Sequence, residues 1–384
     1  MPGALPGAGI MELIVPIRHV RIPLLAVFLL FLWATPGFAQ SPALAAPMKE
    51  AAFPSLESAI RIRGPLEFCG EYVPIHLPEV RERLEKELLL MLWDRAQVIL
   101  WLKRTGRYFP HIEVVLKGAN MPDDLKYIAV IESALKPHAG SNKGARGIWQ
   151  FIPSTARNYG LVVNYSMDER RNFYSATKAA MRYMNELHDM FGSWTLGCAG
   201  YNMGEQGLKK RIEKQEVKDY YRLHLPRETQ RYILRAIAAK LILSDPARYG
   251  FDLQPGDYYV PTQFDRIKLK AKYSTPVTIV AKAAKTYYKT IRDLNPQLLS
   301  DTIPRGDHIL YLPQGAADDF AKRYHPLIAK YRKTLKPETY VVKRGDSLTA
   351  IARKHHMSLW QLCKLNRLST KSTIRPGQKL HVGK

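Results

Sequence analysis

Apolar residues recur at three- and four-residue spacing through most of the chain from Pro78 to about Asp245. The run PEVRERLEKELLLMLWDRAQVILWLKRTG reads as a long helix or a helical pair. Ala176, Ala180, Met184, Leu187 and Phe191 mark another helix across residues 174–191, and Ile233, Ile237 and Leu241 one across 227–244. No alternating strand pattern of any length interrupts them, so the spacing predicts a mainly α block. Before it, residues 40–77 carry several prolines and few periodic apolar positions, which predicts a linker or N-terminal segment. After Gly250 the texture changes to prolines and short β-type runs, DYYVPT and RIKLKA. The C-terminal fifth repeats itself: residues 276–312 fall on 347–383 with a constant shift of 71 and no gap. Val280 meets Ile351, Leu294-Asn295 meets Leu365-Asn366, Gly306 meets Gly377 and Ile309 meets Leu380. Each copy reads as helix, helix, Asn-ended turn and final strand, which points to duplication of one small unit. The second copy opens with a strand and a Gly345-Asp346 turn; the first has Ser274-Thr275 there, so its opening turn differs.

Within the helical block, the stretch YIAVIESALKPHAG places a carboxylate where a hydrophobe is expected. Pro122, Asp123 and Asp124 have the character of a helix start, and Pro137 sets the end at Lys136. Leu125, Ile128, Glu132 and Leu135 then share one stripe, so Glu132 lies on the buried face near the helix C-terminus. Burial and the negative end of the dipole both disfavour its charged form and raise its pKa. A neutral carboxylic acid near pH 7 is suited to general acid catalysis. The competing reading is a structural Glu132 paired with an arginine of a neighbouring helix.

Composition narrows the setting. The chain has 384 residues, 46% of them hydrophobic, enough for two or three domains. Arg18 and Arg21 precede an apolar run from Ile22 to Trp33, and Gly37 and Ala39 place a cleavage point before Gln40. Residues 1–39 are expected to be a signal peptide that exports the protein to the periplasm or cell envelope. No cysteine lies near the cleavage point, so no acylation site is read. The net charge of +24 would suggest nucleic acid in a cytosolic protein. The charge is spread along the chain without a zinc-finger or RNA-binding signature, so no nucleic-acid partner is expected. In an exported protein it suits wall polymers and anionic lipid head groups, which leaves peripheral membrane contact open. Cys69, Cys198 and Cys363 have no metal-ligand spacing, and His355 and His356 lack companion ligands. No metal and no cofactor are expected, and oligomeric state is not legible.

The second repeat, on YVVKRGDSLTAIARKH, Leu365-Asn366 and IRPGQKLHV, resembles the LysM module. That is a small βααβ unit that binds N-acetylglucosamine-containing glycans, and the resemblance implies glycan contacts for Gly345, Asp346 and Asn366. It spans residues 338–384; residues 262–315 look like a degenerate copy. The helical block, residues 78–250, resembles the lytic transglycosylases of the goose-lysozyme-like superfamily, and within it the membrane-bound lytic murein transglycosylase D type. Four stretches carry this: IESALKPHA, GARGIWQFIPSTARNYGL, AGYNMGE and LPRETQRYI. The implied fold is a mainly α lysozyme-like domain followed by βααβ modules, and the implied partner is the glycan strand of peptidoglycan. The resemblance makes Glu132 the catalytic acid and assigns Ser133, Gln150, Tyr201, Asn202 and Tyr232 to its site. Two departures stand out: Gly200 where Ala commonly precedes the Tyr-Asn pair, and no lipoprotein cysteine.

Each residue has a plainer reading beside that one. Ser133 contacts substrate or Glu132, or is a polar helix end. Gln150 faces a sugar amide or is a buried polar residue satisfied by backbone. Asn202 suits an acetamide or merely caps the helix ahead of Gly204, and Tyr232 is a donor to Glu132 or a core aromatic. Trp149 reads as core, and Glu228 as structural, paired with a nearby arginine. Glycosidic cleavage commonly takes two carboxylates, yet no Asp or Glu occurs from Ser133 to Met167. A one-acid mechanism closing a 1,6-anhydromuramoyl ring fits that gap, as the resemblance implies. The alternatives are a hydrolase that draws on Asp168 or Glu169, and a silent wall-binding scaffold.

Overall fold

A computed structural model describes residues 54–334, 338–355 and 357–382; the expected export signal lies outside the described residues. The described chain divides into two units, one ending at Thr262 and the other beginning at Gln263.

The first unit opens with α1 (Leu56–Ala59) and a hairpin of β1 (Glu67–Phe68) and β2 (Glu71–Tyr72). Its turn residues, Cys69 and Gly70, both have positive φ, the mirror-image turn geometry that matches strand twist. Leu66, Phe68, Cys69, Val73 and Ile75 are buried in the same core as the helices. The linker reading therefore fails from residue 54 onward. The segment feeds the core through turns and a hairpin, which leave no helical period to see.

The long apolar run is a helical pair, α2 (Pro78–Trp93) and α3 (Arg95–Gly118). Pro78 starts the first at N1, and Asp94 breaks the pair by accepting from the amide of Gln97 as the N-cap of α3. A 3₁₀ turn at Asp123–Leu125 leads into α4 (Lys126–Ser133). This helix stops three residues earlier than Pro137 alone suggests, because Ala134 and Leu135 both turn left-handed. Next come α5 (Pro153–Asn158), α6 (Phe173–Phe191), α7 (Trp194–Met203), α8 (Glu205–Gln215) and α9 (Arg227–Ser244). Asn172 and Ser193 cap α6 and α7. The α9 helix packs against α2, α4 and α7, which makes it the central element. Buried Glu87 of α2 is tied to Arg231 of α9 by two hydrogen bonds.

The unit does not end at Gly250. Arg95 donates to the carbonyls of Tyr249 and Gly250 and covers the Phe251 ring. The chain then runs back along α3, where the Tyr259 amide donates to the Lys103 carbonyl at 2.8 Å. Gly106 permits this approach, since a Cβ there would lie 2.9 Å from both Tyr258 and Tyr259.

The second unit holds both repeats. The first contains β3 (Phe264–Ala271), β4 (Thr275–Pro276), α10 (Val277–Ala283), α11 (Tyr288–Leu294), β5 (Thr302–Ile303) and β6 (Gly306–Pro313). The β3 strand pairs antiparallel with β6, with Ile267 opposite Leu310. A further helix, α12 (Phe320–Thr334), lays Phe320, Tyr324 and Ile328 on this module and packs against α10. The second repeat has β7 (Glu338–Val341), α13 (Leu348–Lys354), α14 (Leu359–Asn366) and β8 (Lys379–Val382), with β7 antiparallel to β8.

One side chain joins the helices to the final strand in each module. Asn295 donates to the carbonyls of Ile291 and Tyr311 and accepts from the Tyr311 amide. Asn366 does the same with Leu362 and His381. The helical partners are 71 apart and the strand partners 70 apart. The gapless alignment is thus corrected: the second copy is one residue shorter between its asparagine and its strand. Buried Leu310 and Leu312 then match buried Leu380 and Val382.

Candidate active site

Glu132 sits in the last turn of α4. Leu125, Ile128 and Leu135 on its stripe are fully buried, whereas Glu132 keeps partial access to solvent. Tyr232 donates to Glu132 Oε1 at 2.5 Å. Burial pushes the carboxyl up to about 7. The Tyr232 hydroxyl and the Arg235 charge pull the other way, and Glu228 adds a smaller upward push. Arg235 also donates to the Ile131 carbonyl and Arg104 to the Ala134 carbonyl, which offsets the negative end of α4. Glu132 is therefore a protein-bound acid balanced near neutrality rather than one half of a structural ion pair.

The loop after α4 carries the turn at residues 147–150. Gly147 has φ +84, and a Cβ there would fall 1.8 Å from the Arg170 carbonyl oxygen, so no other residue fits. Trp149 is fully buried and donates to Thr177 Oγ1 at 2.9 Å, a core anchor as its sequence context predicts. Gln150 is left-handed at φ +48, and its amide group donates to the Gly147 carbonyl at 2.6 Å. Its side-chain carbonyl oxygen remains for another partner. Arg170 secures this loop from beneath, donating to the carbonyls of Gly144 and Phe151 and twice to Asp168.

Tyr201 and Asn202 come from the last turn of α7. Tyr201 donates to the Trp149 carbonyl at 2.7 Å and lies edge-on to Phe151, which couples α7 to the Gln150 turn. Burial pushes its hydroxyl far above the ordinary value, and the Glu132 charge is the next cause. Asn202 Oδ1 accepts from Thr229 Oγ1 at 2.8 Å, one turn before Tyr232 on α9. Contacts thus run from the Gln150 turn through Tyr201, Asn202 and Thr229 to α9, the helix whose Tyr232 bonds Glu132. Gly200 is also explained: a Cβ there would meet Phe191 at 3.0 Å.

Of the five residues expected around Glu132, Tyr232 bonds it and Tyr201 feels its charge, Gln150 and Asn202 are linked to those two through Trp149 and Thr229, and Ser133 turns elsewhere. Its hydroxyl is buried and donates back to the Ala129 carbonyl, the geometry of a polar residue at a helix end. Glu228 is exposed and meets Lys143, not an arginine, at 3.4 Å. Asp168 is buried in a two-pronged pair with Arg170, and Glu169 accepts from the Val162 amide. The sequence reading missed Arg235 and gave Thr229 no role; both lie three residues from Tyr232 on α9, a spacing that brings them to its face.

In the second repeat, Gly345 takes φ +90 and Asp346 accepts from the Lys343 amide and the Tyr340 hydroxyl, both at 2.8 Å. The Lys343 amide, then the Tyr340 hydroxyl, hold the Asp346 carboxyl below the usual carboxylate range. Both residues shape the strand–helix turn. The Asn366 amide is committed to Leu362 and His381, which makes it a structural pin between α14 and β8.

A short helix ending in a half-buried, near-neutral acid, followed by a glycine-built loop and then by βααβ modules, defines a lysozyme-like wall-active class. Residues 111–223 match the Transglycosylase SLT domain. Residues 263–327 match the Lytic transglycosylase MltD, LysM-like domain, and 340–383 the LysM domain. The chain is 31% identical over 333 residues to membrane-bound lytic murein transglycosylase D of Escherichia coli K12, covering 82% of this chain and 72% of that protein. The protein of the same name from an O6:H1 strain matches equally. The chain belongs to the membrane-bound lytic murein transglycosylase D family.

Proposed function

We propose that this protein is a lytic murein transglycosylase that cuts the MurNAc–GlcNAc β-1,4 bond of peptidoglycan and leaves 1,6-anhydromuramoyl ends. Neutral Glu132 gives its proton to the bridging oxygen as the glycosidic bond breaks and an oxocarbenium-like muramoyl forms. Ionised Glu132 then takes the proton of that sugar's own 6-hydroxyl, whose oxygen bonds to C1. The acid is restored and no water is consumed. Tyr232 orients the carboxyl and supports its charged form between the two proton transfers. The Gln150 carbonyl and the Asn202 amide offer an acceptor and a donor to a sugar acetamide, and Tyr201 holds the Gln150 turn beside them.

One observation carries this reading: Glu132 is a poised acid, and the carboxylate whose charge reaches it, Glu228, is exposed and engaged by Lys143. The next carboxylates after it in the chain, Asp168 and Glu169, are occupied by Arg170 and the Val162 amide, so neither activates a water. The repeats, shaped by Gly345 and Asp346 in the second copy, tether the enzyme to glycan. Residues 1–39 are assigned as the export signal and the periplasm as the site of action. Mass spectrometry of digested sacculi tests the chemistry. Anhydro ends lack one water relative to reducing ends; reducing ends would establish a hydrolase, and no new ends a silent scaffold.

A further inference from the structure

The three helices that build the site are tied together at a second place, away from the chemistry. Glu71, in the β1–β2 hairpin, reaches the N-terminus of α7. Its carboxylate accepts from the amides of Trp194 and Thr195 and from the hydroxyls of Ser193 and Thr195, the last at 2.7 Å. A carboxylate there satisfies amides that the helix itself cannot and complements the positive end of its dipole. Two residues earlier, the Cys69 amide donates to Asp124 Oδ2 at 2.7 Å, in the turn that leads into α4. Lys240 of α9 donates to that same oxygen and to the Glu67 carbonyl of the hairpin.

The spacing is regular. Asp124 lies eight residues before Glu132, Trp194 seven before Tyr201, and Lys240 eight after Tyr232. At the helical rise each anchor stands about 12 Å from the functional side chain on its own segment. One six-residue hairpin therefore holds the far ends of α4, α7 and α9, whose near ends converge on the site. It lies outside the matched transglycosylase region, residues 111–223.

We propose that the Glu67–Tyr72 hairpin is a clasp for the cleavage site, and that Glu71 is a positioning residue that sets Tyr201 and Asn202 against Glu132. Glu71 touches neither substrate nor Glu132; it acts through the register of α7. The Glu132–Tyr232 pair is held by α4 and α9, so loosening α7 weakens substrate placement more than proton transfer. The proposal rests on the assignment of Tyr201 and Asn202 to substrate.

The test uses the whole protein and soluble glycan strands, with kcat and KM measured from pH 5 to 9. Glu71→Ala is expected to raise KM about tenfold, hold kcat within about threefold and leave the alkaline limb in place. Glu71→Gln keeps the size and one acceptor oxygen, and is expected to fold and raise KM by about threefold. Ile112→Ala, a core change in α3, controls for stability: it lowers the active fraction, hence apparent kcat, and leaves KM alone. Asn202→Ala separates two failures. Unchanged KM in Asn202→Ala would overturn the substrate assignment, and the clasp with it. Raised KM there with unchanged KM in both Glu71 variants would overturn the clasp alone. An equal rise in the Ile112 control would reduce Glu71 to a stabilising residue.

Discussion

Tyr232 and Glu132 are joined by a 2.5 Å hydrogen bond across one hundred residues of sequence. The tyrosine is fully enclosed, and its hydroxyl is pushed well above the ordinary value by burial and by the Glu132 charge, so it stays a donor. A donor stabilises the carboxylate over the acid and lowers the pKa. Burial overcomes it and leaves Glu132 near 7. Cleavage by the wild type is therefore expected to fall as pH rises through about 7. Tyr232→Phe removes the donor, so the Glu132 pKa rises and the alkaline limb moves to higher pH. A pH–rate profile of both proteins checks this; coincident limbs would leave Tyr232 as a core aromatic.

Glu132→Gln keeps the shape of the site and removes the transferable proton. Wall cleavage is expected to fall at least ~100-fold in a folded protein. Stability carries its own signature. The folded pKa of about 7 stands above the ordinary 4.5, so the favourable contribution of neutral Glu132 is complete below 4.5 and is lost as pH rises through 7. Glutamine does not titrate. The melting temperature of Glu132→Gln relative to wild type should therefore be higher at pH 8 than at pH 5. An unchanged difference would mean that the carboxyl is not raised on folding.

The loop below Gln150 gives a steric prediction. Gly147 and Gly144 have similar positive φ, +84 and +81, but only Gly147 faces a clash, with the Arg170 carbonyl. Gly144→Ala is expected to cost about 1 kcal/mol from its backbone alone. Gly147→Ala must also displace the Arg170 carbonyl and should cost at least ~3 kcal/mol, with cleavage lost. Chemical denaturation of the two variants separates backbone strain from contact; equal losses would show that the clash relaxes at little cost.

Glu132 was legible as the candidate acid because a carboxylate in an apolar helical stripe breaks a pattern that Leu125, Ile128 and Leu135 otherwise keep. The helical block was legible for the same reason, since its period is set by burial on one side. The hairpin was not, because Phe68 and Cys69 enter the core from a strand end and a turn, and Glu71 acts on an α7 terminus more than a hundred residues away. Motif position alone, the basis for placing Ser133 and Asn366 near ligand, carries no information on the direction of a side chain. Both turn inward to backbone carbonyls. The one-residue shortening of the second repeat was hidden because Ile309 and Leu380 align well by type, while burial assigns Leu310 to that place.

Catalysis and tethering should divide at Thr262 rather than at Gly250. Residues 251–260 run along α3, where Tyr259 bonds the Lys103 carbonyl and Arg107 the Val260 carbonyl, so a cut at 250 strips α3 of its cover. At the other end, removing residues 54–77 would take away the clasp and part of the core. A fragment of residues 54–262 is expected to cleave short soluble glycan strands, because Glu132, Gln150, Tyr201, Asn202 and Tyr232 are all present. It should bind whole sacculi far less well than the full chain, since tethering raises local substrate concentration without any new contact at the site. The second repeat keeps Gly345-Asp346, so removal of residues 338–384 should cost more binding than Asn295→Ala, which unpins α11 from β6 in the first. Added salt should weaken what binding the fragment retains, as expected of a basic surface on an anionic wall. A sacculus pull-down of the four proteins at low and high salt checks the division. Equal binding by all four would remove the repeats from tethering and leave attachment to the catalytic unit itself.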